Sequence, residues 1–381
     1  MNAISSSGIN YINNSQQNNI FQIDYSLSIY KRIFLVPRLD SAGGVANYYQ
    51  ALKPYLNENC IYIFRGKKKN EKISFLRFIN DYLKYLRSAN NNTIIISTSL
   101  GQGSIFRDGL YAWLCPKSTK KIIFFRGWDP DFQRKIDNSK FLKKWIRKTF
   151  LTADHIIVLS SKFKEKLIQW GYNKGISLET TLVDETLLNS FDINNIPPKT
   201  KNILFLSAIT RNKGIFEALE AFHLLKKKIP ELIFHVAGDG NAMSDVDKKI
   251  NKNEIKGVNI LGYVKGDQKT DVYKNAGIFL FPSYHEGMPN AVLEAMAFGL
   301  PVITTRVGGL PDFFEDGKMG LFLDNHNPEH IAEKIEYLLE RPELIKKMSE
   351  YNYRYAKERF YASKVAKRLE KIINDIIHKR K

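Results

Sequence analysis

Short apolar runs alternate with amphipathic stretches along most of the chain. In the first half the runs lie at Ile33–Val36, Ile61–Phe64, Thr93–Ser97, Ile122–Phe125 and Ile156–Leu159. With the amphipathic stretches between them, they predict the strands of parallel α/β units. Between them, helical periodicity shows in Ile73, Leu76, Ile79, Leu83 and Leu86, which recur at steps of three and four. The alternation breaks at "NSFDINNIPPKTKN", Asn189–Asn202, where Asn, Asp and a proline pair read as a linker. It resumes with Ile203–Leu206, Leu232–Val236, Val258–Leu261, Ile278–Phe281, Val302–Thr304 and Leu321–Leu323. This pattern predicts an α/β protein with two doubly wound parallel sheets in series. The final stretch, "YASKVAKRLEKIINDIIHKRK", places Val365, Leu369, Ile372, Ile373 and Ile376 on one helical stripe that needs a surface to cover.

Length agrees with two domains, since 381 residues exceed one ordinary domain. The division expected is a variable or disordered extension over 1–30, a first α/β domain over 31–190, a linker over 191–202, a second α/β domain over 203–360 and a terminal helix over 361–381. Residues 1–30 are rich in Ser, Asn and Gln, with neither the basic start nor the apolar block of a targeting segment. No run of 18 apolar residues occurs, so no membrane-spanning helix is expected. Two cysteines, Cys60 and Cys115, offer no disulfide framework and no metal spacing, and a reducing, cytoplasmic location is expected.

Charge changes this picture in one respect. The net charge is +19, and residues 1–200 hold 29 Lys and Arg against 15 Asp and Glu, whereas residues 201–381 hold 29 against 24. The excess sits in the first half. A basic surface suits nucleic acid, an anionic lipid or an acidic substrate, and also plain solubility.

Ligands of open parallel sheets bind beyond the carboxyl ends of the strands, so the chemistry is sought there. The stretch "SYHEGMPNAVLEAMAFGLPVITTRVGG", Ser283–Gly309, follows the strand Ile278–Phe281. Pro289 stops earlier helix formation, Asn290 is a helix cap by type, and Gly299 suits a left-handed close. Glu286 falls in the loop, and Glu294 about one turn into the helix. Gly287 admits close approach to the backbone, and amides of the helix start favour an anion. Such a site offers donors to a phosphate and carboxylates to sugar hydroxyls; a helix with acids near its start is the plainer alternative. Related devices follow other strands. Arg211 and Lys213 precede a helix opening near Gly214, Gly238 and Gly240 end "HVAGDG", and Gly308-Gly309 follow Val302–Thr304.

The second half, in order from Ile203 to about Leu339, resembles the retaining nucleotide-sugar glycosyltransferases of family 4, which have the GT-B fold. The resemblance rests on "KG" at Lys213-Gly214, "AGDG" at Ala237–Gly240, "LGYV" at Leu261–Val264, "FPSYHEGMPNAVLEAMAFGLPVITT" and "VGGLPDFFEDGKMGLFL". It implies two Rossmann-like domains facing a cleft. It implies that Glu294 holds the donor ribose, that Glu286 lies beside the transferred sugar, and that Gly287, Met288, Pro289 and Asn290 border sugar and diphosphate. Lys213 would meet the diphosphate, with Arg211 beside it, and Tyr263 and Val264 would border the base. "SAGGVANYY", Ser41–Tyr49, is similar to the family's glycine pair, which places Gly43 and Gly44 near the donor phosphates; a simple turn is the alternative. This sequence departs from the family pattern at Ala208, where an arginine is frequent, at Arg126, where a histidine is frequent, and at Thr181, where an asparagine is frequent.

The resemblance implies an enzyme moving a sugar from a nucleotide-diphosphate donor to a hydroxyl of a glycan or lipid-linked glycan of the cell surface. The nucleotide sugar is its co-substrate, and no resident cofactor or metal is required. Arg126, Asp129 and Asp131 are candidates on the acceptor side. "SKFLKKWIRKTFL", Ser139–Leu151, fits either a core helix with a solvated basic face or a helix lying on an anionic membrane, the latter with a peripheral position on the inner face of the plasma membrane. A dinucleotide-dependent oxidoreductase would show G-x-G-x-x-G after an early strand, and "VPRLDSAGG" lacks it. No nucleic-acid-binding module is visible, so nucleic acid is not an expected partner. A catalytically impaired member acting as a partner subunit is the remaining alternative, kept open by Ala208 and Arg126.

Overall fold

Ile122, Ile123, Phe124 and Phe125 have almost no accessible surface, as a strand covered on both faces requires. They belong to one of two parallel sheets in a computed structural model that describes residues 31–40, 43–66, 75–195 and 201–378. The extension expected over 1–30, Ile73 of the helical stripe and most of the linker's second half lie outside the described residues.

The first sheet holds β1 (Arg32–Pro37), β2 (Cys60–Arg65), β3 (Thr93–Leu100), β4 (Lys120–Trp128), β5 (His155–Val158) and β6 (Gly175–Leu178), in the order β2-β1-β3-β4-β5-β6. The second holds β7 (Asn202–Leu206), β8 (Ile233–Ala237), β9 (Val258–Gly262), β10 (Ile278–Phe281), β11 (Val302–Thr305) and β12 (Gly320–Leu323), in the order β12-β11-β10-β7-β8-β9. Every apolar run named above overlaps a strand. β6 was not expected: "GISL" is four residues long and holds a glycine and a serine, so no continuous apolar run marks it.

The helix Phe75–Ala89 forms where the periodicity places one, but its buried face is turned from the expected stripe. Ile79 and Leu83 are exposed, while Tyr85 and Ala89 are fully buried. Tyr82 and Tyr85 pack on Tyr111 with ring centroids 5.1 and 5.0 Å away, and the Tyr85 hydroxyl donates to the Tyr111 carbonyl at 2.8 Å. Aromatic area and a satisfied hydroxyl outweigh two aliphatic side chains.

In the second sheet the strand order reverses between β7 and β10, which opens a crevice at their carboxyl ends. The chain then returns to the first lobe. The helix Ala362–His378 buries Val365, Leu369, Ile373 and Ile376. Its Arg368 donates to Glu179 at 2.7 Å, and its Glu370 and Asn374 accept from Arg32 at 3.3 and 2.9 Å. The crevice therefore faces a first lobe tied to it by the chain's own end.

Candidate active site

Lys213 and Glu286 meet where the crevice opens. Lys213 ends a short helical turn after β7, and Gly214 follows with φ of 75°. A β-carbon at Gly214 would stand 2.1 Å from the carbonyl oxygen of Pro282, so only glycine lets this turn lie on the end of β10. The packing sets the Lys213 ammonium 2.5 Å from Glu286 Oε1, which also accepts from Ser283 Oγ at 3.1 Å. The two side chains are 19% and 12% exposed. At that depth, removing either partner leaves an uncompensated charge.

The helix after this loop spans Asn290–Ala297. Pro289, with ψ of 108°, is its cap, so Asn290 is the first helical residue and not the cap expected from its type. Proline ends the extended loop one residue early, and no side chain caps the helix start. The Asn290 side chain instead accepts from Thr181 Oγ1 of the first lobe at 2.5 Å. Gly299 closes the helix in the left-handed region, with φ of 70°.

Glu294 lies 7% exposed on the inner side of this helix. Lys269 donates to one of its oxygens at 2.7 Å and the Tyr273 hydroxyl to the other at 2.8 Å. Burial first, then the Glu294 carboxylate, pushes the Tyr273 phenol well above its ordinary pKa, so it remains a donor. Lys269 and Tyr273 belong to a polar helix and its end, Asp267–Lys274, where no motif marks them in the sequence.

The lobes meet along a seam. A β-carbon at Gly287 would stand 3.7 Å from the Gly127 α-carbon, and one at Gly44 4.0 Å from the Asn290 amide. Ser160 Oγ donates to the Gly308 carbonyl at 3.1 Å, and the Ser161 amide to Asp312 at 2.7 Å. Between the lobes lies a cavity of about 510 Å³ lined by Gly44, Val45, Arg126, Leu159, Thr181, Ser207, Ala208, Lys213, Phe281, Glu286, Met288, Pro289, Asn290 and Ala291. Residues from both halves of the chain thus converge on one space.

Arg126 enters it from the end of β4. Its guanidinium carbon lies 3.5 Å from the Tyr48 ring centre and 4.8 Å from that of Phe124. It donates to Thr181 Oγ1 at 3.2 Å and to the Thr180 carbonyl at 3.5 Å, while its Nε is sealed from solvent without a partner. Burial draws its pKa down, opposed by Tyr48, Tyr49 and Glu179. Glu179 is itself taken up by Arg368.

Other expected site residues stand elsewhere. Arg211 is exposed, pairs with Asp245 at 2.6 Å and stacks over Phe216, away from the cavity. Asp129 caps the helix Pro130–Asn138, accepting from the amides of Asp131 and Phe132, and Asp131 pairs with Arg134 in solvent. A capping carboxylate and a surface ion pair account for both acids. Gly240, Gly308 and Gly309 make their close approaches to backbone: added β-carbons would stand 2.2 Å from the Ile209 oxygen, 2.3 Å from the Gly287 oxygen and 2.2 Å from the Leu159 oxygen. They let loops stack on one another and so shape the wall. Gly43, with φ of 137°, precedes the helix Gly44–Leu52 and borders a second hollow of about 220 Å³. Tyr263 is 71% exposed, and neither it nor Val264 lines the cavity. Among the described residues no three His, Cys, Asp or Glu side chains converge as a metal site would require.

Residues 188–355 match the family model described as Glycosyl transferases group 1. The chain is 25% identical over 226 residues to the capsular polysaccharide biosynthesis glycosyltransferase CapM of Staphylococcus aureus, covering 58% of this chain and 59% of that one. It is 29% identical over 177 residues to the alpha-monoglucosyldiacylglycerol synthase of Acholeplasma laidlawii, covering 46% and 44%. The chain thus spans about half the length of the curated relatives it matches. The structure of Anabaena HepE in complex with UDP-glucose superposes with a TM-score of 0.71 over 91% of this chain and 99% of that one, at 15% identity. The chain therefore has the GT-B fold, and its residues 188–355 carry the sequence pattern of the Glycosyl transferases group 1.

Proposed function

We propose that this protein is a glycosyltransferase that moves a sugar from a nucleotide-diphosphate donor to a hydroxyl acceptor. The observation that carries the reading is the half-buried Lys213–Glu286 pair beside an uncapped helix start, inside a cavity that both lobes close. As the bond between sugar and diphosphate breaks, negative charge grows on the leaving oxygen. Lys213 and the first amides of the helix Asn290–Ala297 are fixed donors for that charge. Glu286 holds Lys213 in place and borders the transferred sugar. Glu294, oriented by Lys269 and Tyr273, accepts from donor hydroxyls. The resemblance of the motifs supports retention of configuration at the transferred carbon and membership of family 4.

A glycan or lipid-linked glycan of the cell surface is the acceptor we propose. The names of the similar proteins, one a capsular polysaccharide transferase and one a glycolipid synthase, support that class. An anionic membrane surface is a further partner. Phe141 and Trp113 are 66% and 57% exposed, and Lys140, Lys144, Arg147 and Lys148 are exposed on the same helix as Phe141. No described helix is long and apolar enough to cross a membrane.

Nucleotide release tests the proposal. Purified protein incubated with UDP-, GDP-, ADP- and TDP-sugars, with and without membrane extract, should release one diphosphate faster than Lys213→Ala does. Equal release by the two proteins across the whole panel contradicts it.

A further inference from the structure

The cavity holds three charged side chains, and two of them cancel. Lys213 and Glu286 form an ion pair, which leaves the charge of Arg126 without a counter-ion. Buried Arg65 has one, Asp108 at 2.8 Å, and buried Lys121, which has none among the described residues, is met by two short hydrogen bonds, to the Ala112 carbonyl at 2.7 Å and Thr152 Oγ1 at 2.6 Å. Arg126 has two long hydrogen bonds to neutral oxygens and a sealed, unpartnered Nε. Taking a guanidinium out of water on those terms is unfavourable. A charged partner arriving with the substrate offsets it.

We propose that Arg126 binds a carboxylate on the transferred sugar, so that the donor is a nucleoside-diphosphate uronic acid. This rests on the glycosyltransferase reading above and adds the class of sugar to it.

Three features favour a carboxylate over a hydroxyl or the diphosphate. One face of the guanidinium is covered by the Tyr48 ring at 3.5 Å, so a ligand meets its N–H edge, which matches a planar two-oxygen acid. The group is fixed from the side of the sugar-facing loop: Thr181 receives Arg126 and itself donates to Asn290 at 2.5 Å. The Arg126 main chain faces Gly287 of the same loop, where a β-carbon would stand 3.8 Å from the Arg126 oxygen. The cation placed for the diphosphate, Lys213, comes from the opposite lobe. A neutral hexose would leave Arg126 uncompensated; a uronate neutralises it.

Titration calorimetry tests this without knowledge of the acceptor. Free UDP, GDP, ADP and TDP first identify the base. The hexose and hexuronate forms of that nucleotide are then compared on the wild-type protein, on Arg126→Gln and on Arg126→Lys, with folding checked by thermal melting. The uronate should bind the wild type at least about tenfold more tightly than the hexose, as a charge-assisted pair does. Arg126→Gln should remove that preference while free nucleotide binds within about twofold of wild type. Arg126→Lys, which keeps the charge but not the fork, should retain part of it. Equal or tighter binding of the hexose by the wild type overturns the proposal, and that comparison needs no variant. A uniform loss for nucleotide, hexose and uronate in Arg126→Gln also overturns it, because Arg126 then serves the diphosphate or the fold. Absence of binding by every nucleotide defeats the underlying glycosyltransferase reading as well; nucleotide binding without uronate preference defeats this inference alone.

Discussion

The Lys269 ammonium lies 2.7 Å from one oxygen of Glu294, and the Tyr273 hydroxyl lies 2.8 Å from the other. Glu294 is thus aimed by two donors from a neighbouring helix before any ligand arrives. Each oxygen keeps one acceptor site free for a sugar hydroxyl. Glu294→Ala should raise the donor KM more than it lowers kcat. It should also cost ~1–3 kcal/mol of stability, because two donors lose their partner. Steady-state kinetics with a chemical denaturation curve separates the two effects, and an unchanged donor KM contradicts the role.

Lys213 and Glu286 act as one unit. Lys213→Ala and Glu286→Ala should each lower turnover by roughly 100-fold or more, the size of effect seen when one fixed charge-stabilising group is lost. The double variant should be little worse than the poorer single one, because each change already breaks the shared pair. Turnover measured by nucleotide release checks both statements, and additive losses contradict the coupling.

Gly308 carries the loop that bears Glu286. Its φ is 56°, and an added β-carbon would stand 2.3 Å from the Gly287 oxygen. Gly308→Ala should displace that loop and weaken donor binding. Gly317→Ala is the matched control: its φ is 80°, but nothing lies within 4 Å of the new carbon. Both changes strain the backbone by about 1 kcal/mol. Only the first should change donor affinity in a binding titration.

Asp129 is a helix cap, and its replacement should read as one. Asp129→Ala should lower stability by about 1 kcal/mol and leave donor and acceptor KM unaltered. A rise in acceptor KM without loss of stability would return Asp129 to the acceptor site.

Asp137 gives the fold an acid-sensitive contact. Burial raises its pKa, but bonds from Trp170 Nε1 at 2.8 Å and Lys166 at 3.2 Å outweigh this, and the net shift is downward. A depressed carboxyl stabilises the fold above its unfolded pKa and loses that contribution as pH falls through the folded value. Asp137→Asn should therefore flatten the acid side of the melting-temperature profile. A parallel profile for wild type and variant contradicts the assignment.

The strands were legible because their apolar residues run together, even in the partly exposed edge strands β2 and β9, and β6 escaped because Gly175 and Ser177 interrupt its run. The Lys213-Gly214 and Glu286–Asn290 segments were legible because local backbone demands, a left-handed glycine and a proline before a helix, are written in adjacent residues. Contacts between distant segments were not. Nothing near Thr181 announces Asn290, and nothing near Lys269 announces Glu294. The glycines after β8 and β11 were visible as positions of close approach, but sequence does not say whether a ligand or a neighbouring loop comes close. At Gly240, Gly308 and Gly309 neighbouring loops do come close. Asp129 and Asp131 looked like acceptor groups for the same reason: a carboxylate after a strand is equally a helix cap.

The central claim is that the crevice between β7 and β10 grips an activated sugar by its diphosphate through Lys213 and the start of the helix Asn290–Ala297. Titration calorimetry of the wild-type protein and Lys213→Ala with free UDP, GDP, ADP and TDP measures that grip directly. The expected result is one-to-one binding of one nucleotide, weakened at least about tenfold by Lys213→Ala. Binding of that nucleotide with equal affinity by both proteins, or of none of the four by the wild type, would contradict it.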